Sequence, residues 1–210
     1  MWLHCSAVAL AVAVMGSGLA RAARPAQRLL VLGDSLSAKY GLARGSGWVA
    51  LLERKLAALA PPVGVVNASI SGETTAGGRS RLSALLKQHA PSHVLIELGG
   101  NDALRGLPLA STQANLQAMA GAARSAGAKV MVVGMQVPPN YGQRYGQDFA
   151  ELFAKVARAE QAALVPFLLD GVADAPNAES LFQPDRIHPR AEAQPRMLAN
   201  VWAVMAGWLR

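Results

Sequence analysis

The sequence predicts an α/β protein of three layers, helices on both sides of a five-stranded parallel sheet. Three observations lead there. Continuous apolar runs at 29–32, 94–96 and 130–133 lack polar alternation, the pattern of strands buried on both faces. Segments with apolar residues at helical spacing lie between them, so strands and helices alternate along the chain. The first three strands each run into a turn rich in Gly, Asn, Asp or Ser, which gathers polar loops at the carboxyl end of the sheet.

The elements follow in order. The first strand, 29–32, ends at Gly33-Asp34-Ser35-Leu36, and Trp48, Leu52, Leu56 and Leu59 then recur at helical spacing. A second strand at 63–66 leads into Asn67-Ala68-Ser69-Ile70-Ser71-Gly72, followed by an amphipathic segment at 81–90 carrying Leu82, Leu85 and Leu86. The third strand, 94–98, runs into Gly99-Gly100-Asn101-Asp102, and a helix follows at 115–124. After the fourth strand, 130–133, comes a proline-bounded aromatic loop at 136–145, a helix at 149–163, a fifth strand at 164–168 and a closing helix at 195–209. With 210 residues, 52% hydrophobic, and no linker or repeat, the chain suffices for one sizeable core, expected to span 23–210.

The first 22 residues read as a signal peptide. Residues 7–15 are continuously apolar but too short to span a bilayer, and Ala20-Arg21-Ala22 forms a cleavage site of the signal-peptidase type. Cys5 precedes the apolar stretch, which argues against lipoprotein processing; cleavage after Ala22 leaves a cysteine-free chain that needs no disulfide in an oxidising compartment. A periplasmic or secreted protein without a membrane anchor is expected. The formal charge of +7 comes from scattered residues, without a basic run interleaved with aromatics, so nucleic acid is not an expected partner.

Ser35 stands where a strand ends, and a serine hydroxyl becomes a nucleophile only beside a base that is itself held in place. Asp185 and His188, three residues apart before Pro189, supply both groups within one turn. Among the four histidines, His4 lies in the leader, His89 ends an amphipathic segment and His93 opens a strand at the opposite end of the sheet, leaving His188 as the base. Asp34 and Asp102 read as acceptors that shape loops. No His-Glu-x-x-His, cysteine pair or phosphate-cradling glycine loop occurs, so no metal and no cofactor is expected.

Ser35 in Gly-Asp-Ser-Leu, Gly72 after the second strand, Asn101 in Gly-Gly-Asn-Asp and His188 in Asp-x-x-His-Pro together resemble the four blocks of the SGNH, or GDSL, hydrolases. The wording of the blocks, with Pro139-Asn140-Tyr141-Gly142, is similar to the branch of periplasmic thioesterases, proteases and lysophospholipases. The resemblance covers 28–210. It implies the flavodoxin-like SGNH fold, Ser35 as nucleophile, His188 as base and acid, and Asp185 as its orienter. It also implies an oxyanion hole of the Ser35 and Gly72 backbone N–H groups and the Asn101 side-chain amide, and a substrate groove touched by Val137 and Tyr141.

The function expected from these residues is hydrolysis of carboxylic esters and thioesters of acyl chains, lysophospholipids among them, by a monomeric esterase that forms an acyl-enzyme. Two alternatives fit the same residues. One is a carbohydrate or aryl-ester deacetylase on the same fold. The other is a non-catalytic flavodoxin-like binding protein, in which Ser35 is a cap and Asp185 and His188 a loop pair.

Overall fold

The computed structural model describes residues 27–209. The signal-peptide reading, its cleavage after Ala22 and Cys5 lie outside the described residues. Five strands, β1 (Gln27–Gly33), β2 (Val63–Asn67), β3 (His93–Glu97), β4 (Lys129–Val133) and β5 (Ala163–Val165), form one sheet in the order β2-β1-β3-β4-β5, with every pair parallel. Helices α1 (Trp48–Ala57) and α7 (Gln194–Trp208) pack together over one face; α2 (Thr75–His89), α4 (Leu109–Ser125) and α5 (Gln143–Ala159) pack over the other. Two short helices, α3 (Gly100–Leu104) and α6 (Ala178–Leu181), sit in the loops. This is the three-layer arrangement that unbroken apolar strands require, since each strand must bury both faces.

The core follows the sequence pattern closely in the central strands. Leu29, Leu30, Val31, Leu32, Val94, Leu95 and Ile96 are all fully buried, while β2, on the sheet edge, keeps only its first residue buried. Trp48 and Leu52 of α1 close one side, and Phe149 and Phe153 of α5 close the other, their rings meeting edge to face at 5.2 Å.

The structure corrects several boundaries. Leu59 falls beyond α1 and is exposed. Helices α2 and α4 start about one and a half turns before the periodic segments, because their first turns carry mainly Thr, Ala, Gly and Ser, with Leu109 as the one large apolar residue. Helix α5 begins at Gln143 and ends at Ala159, and Gln161, at φ 51°, turns the chain into β5. That strand stops at Val165, because Pro166 has no N–H to donate.

Beyond Pro166 the chain is held by Gly134, whose N–H donates to the Val165 carbonyl at 2.8 Å and whose carbonyl accepts from Leu168 N–H at 3.0 Å. A Cβ at Gly134 would lie 2.2 Å from the Pro166 carbonyl oxygen, a backbone atom with no rotamer to change. Gly134→Ala is therefore expected to destabilise the fold by about 1–3 kcal/mol, the usual cost of forcing atoms into a packed interior. Chemical denaturation checks this; a midpoint unchanged from wild type would mean that this end of the sheet yields freely.

Candidate active site

Parallel sheets of this order place their ligands where the connections diverge, outside the carboxyl ends of β1 and β3. Ser35 follows β1 and Asn101 follows β3. After β1 the Asp34 carboxylate accepts from Leu36 N–H at 3.0 Å, an Asx turn, and Ala38 N–H closes on the Asp34 carbonyl at 2.8 Å. Glycine is needed at 33 for space, because a Cβ there would stand 2.8 Å from Glu97 Oε2 and from the Ser37 side chain.

His188 comes from the loop before α7. A bridge between Phe182 and Pro189, with Gln183 N–H donating to the His188 carbonyl at 2.8 Å, folds residues 183–188 into a tight bend in which Arg186 takes φ 58°. Within it, Asp185 Oδ1 accepts from the N–H groups of Ile187 and His188, both at 3.0 Å, and Oδ2 meets His188 Nδ1 at 2.7 Å. His188 Nε2 lies 2.9 Å from Ser35 Oγ. Because the carboxylate can only accept, the Nδ1 proton is assigned to face it, leaving Nε2 as the acceptor for the serine proton. Desolvation by itself would raise the Asp185 carboxyl; the backbone N–H groups of His188 and Ile187, with the imidazole, outweigh it and bring it down to about 2. It therefore stays ionised at neutral pH, opposite the ring it orients.

Two glutamines that the sequence did not announce lock this loop to the first. Gln183 Nε2 donates to the Tyr40 carbonyl at 2.9 Å, and the Tyr40 ring lies 4.2 Å from the His188 ring, centroid to centroid. Gln194, buried at the start of α7, accepts from Trp48 N–H at 2.9 Å and donates toward the Pro189 carbonyl at 3.4 Å. Glutamine has no periodic signature, so only its contacts reveal these roles.

The second strand brings Gly72 to the same place. Ala68 and Ile70 donate to the carbonyls of Val31 and Gly33, so the segment runs beside β1 and its turn. Gly72, at φ 78°, is fixed from the other side by Arg105, which donates to its carbonyl at 2.8 Å. Among the described residues, the N–H groups of Ser35 and Gly72 have no acceptor. Asn101 Nδ2 donates to Asp34 Oδ2 at 3.1 Å. Asp102 accepts from Thr75 N–H and from the hydroxyls of Thr75 and Thr112, tying three helices together. Both acids are thus loop-shaping acceptors.

Val137 and Tyr141 belong to the segment that follows β4. Val137 is partly buried against the core, and Tyr141 stacks on Tyr145 at 6.1 Å, in a row that continues to Phe149. Residues 143–145, read as loop, begin α5. A narrow pocket beside Ser35 is lined by Leu36, Lys39, Tyr40, Leu42, Pro189 and Gln194. A larger cavity, about 520 Å³, opens at the amino ends of β4 and β5, lined by Arg124, Lys129 and Trp208, away from the serine and its base.

Residues 31–195 match the model of the GDSL-like lipase/acylhydrolase family. The chain is a member of that family. It is 53% identical over 180 residues to esterase TesA of Pseudomonas aeruginosa, covering 86% of this chain and 88% of the relative. It is 42% identical over 173 residues to thioesterase 1/protease 1/lysophospholipase L1 of Escherichia coli K12, covering 82% and 80%. The crystal structure of the psychrotrophic esterase EstA from Pseudoalteromonas sp., inhibited by monoethylphosphonate, superposes with a TM-score of 0.81 at 41% identity, over 87% of this chain and 98% of that one. This member is accordingly a hydrolase acting on ester bonds, with the family's α/β architecture.

One carboxyl of the site went unnoticed in the sequence because it sits inside an apolar run. Glu97, fully buried at the end of β3, accepts from Ser37 Oγ at 2.7 Å. Burial, reinforced by the Asp34 charge, pushes its carboxyl well above the ordinary value of 4.5. The folded chain then holds a proton that the unfolded chain releases above about pH 4.5, so this stabilisation is full at low pH and is lost as pH rises. Glu97→Gln, neutral at every pH, escapes that loss. Its melting temperature is expected to gain on wild type as pH rises from about 4 to about 8; a constant difference would mean that Glu97 folds as an anion.

Proposed function

We propose that this protein is an exported serine hydrolase that deacylates lipid-like esters and thioesters through an acyl-enzyme on Ser35. The supporting observation is the unbroken line from Asp185 Oδ2 through His188 to Ser35 Oγ, at 2.7 and 2.9 Å. Ser35 Oγ attacks the acyl carbon as its proton passes to His188 Nε2, and Asp185 stabilises the imidazolium that results. The carbonyl oxygen, now bearing the charge, is received by the Ser35 and Gly72 N–H groups and the Asn101 amide, donors aimed before the reaction begins. His188 returns the proton to an alkoxide leaving group; a thiolate leaves with less need of it. Once Nε2 has given up that proton it deprotonates a water that attacks the acyl-enzyme; the carboxylic acid leaves and Nε2 returns the proton to Ser35 Oγ.

Acyl substrates are favoured over acetyl sugars by the surface around the serine. Tyr40, Ile70, Leu104, Leu107 and Ile187 are exposed, and each stands in a loop that carries a site residue. The relatives named as an esterase and as a thioesterase and lysophospholipase support the same substrate class. Tyr141, whose ring stacks on Tyr145 at 6.1 Å, is proposed to border the groove, and Val137 to border it further out. All members of the proposed machinery come from one chain, which supports a monomer as the working unit. Export rests on the leader at 1–22, and among the described residues no helix is long and apolar enough to cross a membrane.

A serine-directed phosphonate is expected to label Ser35 alone, detected by peptide mass. Asn101→Ala is expected to lower kcat on the order of 100 to 1000-fold, about 3 to 4 kcal/mol, with KM changing far less, as for other oxyanion donors. A folded variant that keeps wild-type kcat would remove Asn101 from the mechanism.

A panel of 4-nitrophenyl esters from acetyl to palmitoyl, with an acyl-CoA and a lysophospholipid, tests the substrate class. Preference is expected to rise beyond acetyl, by at most roughly fourfold per methylene while the chain still finds apolar surface, since each buried methylene contributes about 0.8 kcal/mol. Strict acetyl preference would replace this reading with the deacetylase.

A further inference from the structure

Glu97 plays no part in the mechanism above, yet it sits directly behind the nucleophile turn. Its Oε2 accepts from Ser37 Oγ at 2.7 Å and from Asp34 N–H at 3.4 Å, while Oε1, also buried, receives no N–H donor and no hydroxyl among the described residues. Asp34 is differently placed. Its Oδ1 accepts from Leu36 N–H at 3.0 Å and its Oδ2 from Asn101 Nδ2 at 3.1 Å. No Lys, Arg or His forms an ion pair with either acid among the described residues. His188 acts on Asp34 only through its field.

Two adjoining carboxyls in a dry interior without a cation do not both ionise. The donors around Asp34 favour its charged form, and the unsupported oxygen of Glu97 is where a proton belongs. Burial pushes both groups up, Glu97 well above the ordinary range and Asp34 to about 6, and each acid is among the groups that shift the other.

The consequence falls on Asn101. The two ends of a carboxamide have nearly the same shape, so packing alone discriminates poorly between the amide and its flipped form. Asp34 Oδ2 is an acceptor only. It selects the orientation with Nδ2 inward, and that group has a second hydrogen for the substrate oxygen. We propose that Glu97, as a neutral acid donating to Asp34, and Asp34, as the acceptor from Asn101, are positioning residues that hold the Asn101 amide in its donor orientation. This rests on the reading of Asn101 as an oxyanion donor given above.

A double-substitution cycle on kcat for 4-nitrophenyl butyrate tests it, with wild type, Asp34→Asn, Asn101→Ala and the pair. The Asp34→Asn substitution keeps an oxygen for Leu36 N–H but turns an N–H toward Asn101, which favours the flipped amide. It is expected to lower kcat about 10 to 100-fold with KM within about threefold; beside Asn101→Ala it is expected to change kcat by no more than about threefold, because residues acting as one unit are not additive. Multiplied losses, or no loss from Asp34→Asn, overturn the proposal. If Asn101→Ala alone keeps wild-type kcat, the oxyanion reading has failed instead, a different result.

Should Asp34→Asn fail to fold in thermal melts, Glu97 decides the matter. Glu97→Gln retains an N–H for Asp34 and an oxygen for Ser37, and is expected to keep kcat within about threefold, whereas Glu97→Ala is expected to lose about 10 to 100-fold. If the glutamine variant falls as far as the alanine variant, Glu97 is required as an anion and the proposal is wrong.

Discussion

The pairing of β1 with β3 is the constraint on which the site depends. Its register sets Gly33 opposite Glu97, so the turns that leave the two strands, 34–37 and 99–102, emerge side by side. Two contacts follow from that adjacency, Asp34 reaching Asn101 and Ser37 reaching Glu97, while the pairing of β1 with β2 lays the segment after β2 against the Gly33 carbonyl. A slip of one residue would turn the apolar side chains of β1 to the opposite face and bring the two turns out of step. Burial on both faces forbids it.

The histidine loop is held by a different logic. It arrives from more than 150 residues away, and no strand pairing carries it to Ser35. Polar side chains do so instead, Gln183 to the Tyr40 carbonyl and Gln194 between Trp48 and Pro189, each satisfying a backbone group that the loop would otherwise leave bare. The arrangement separates two tasks. The sheet positions donors for developing charge, and the loop positions a base with its own carboxylate attached.

Much of this was legible in the residues. Unbroken apolar runs read as central strands because a strand covered on both sides has no polar face to alternate, and Leu29 to Leu32 are buried as that pattern requires. Helix starts were less legible, since Thr75-Ala76-Gly77-Gly78 carries no large apolar stripe and its helix is set by the Thr74 side chain, which accepts from Gly77 N–H. Ser35, Gly72 and Asn101 stood out as short blocks at strand ends, and Asp185 and His188 as a pair within one turn; the fold brings His188 to Ser35 and the Asn101 turn beside the Ser35 turn. Glu97 did not stand out, because a single acid at the end of an apolar strand reads as the edge of the strand.

The sequence by itself determined the alternation of elements, the apolar central strands and the local bend in which Asp185 meets His188, because each of these depends on neighbours a few residues apart. Only the tertiary structure decided which turns meet, that two carboxyls share the space behind the nucleophile, and that the free N–H groups of Ser35 and Gly72 and the Asn101 amide belong to turns on the same side of the sheet. Hydrogen bonds and burial between residues 60 or more positions apart have no local signature. They exist only once the sheet has closed its register and water has left the interior.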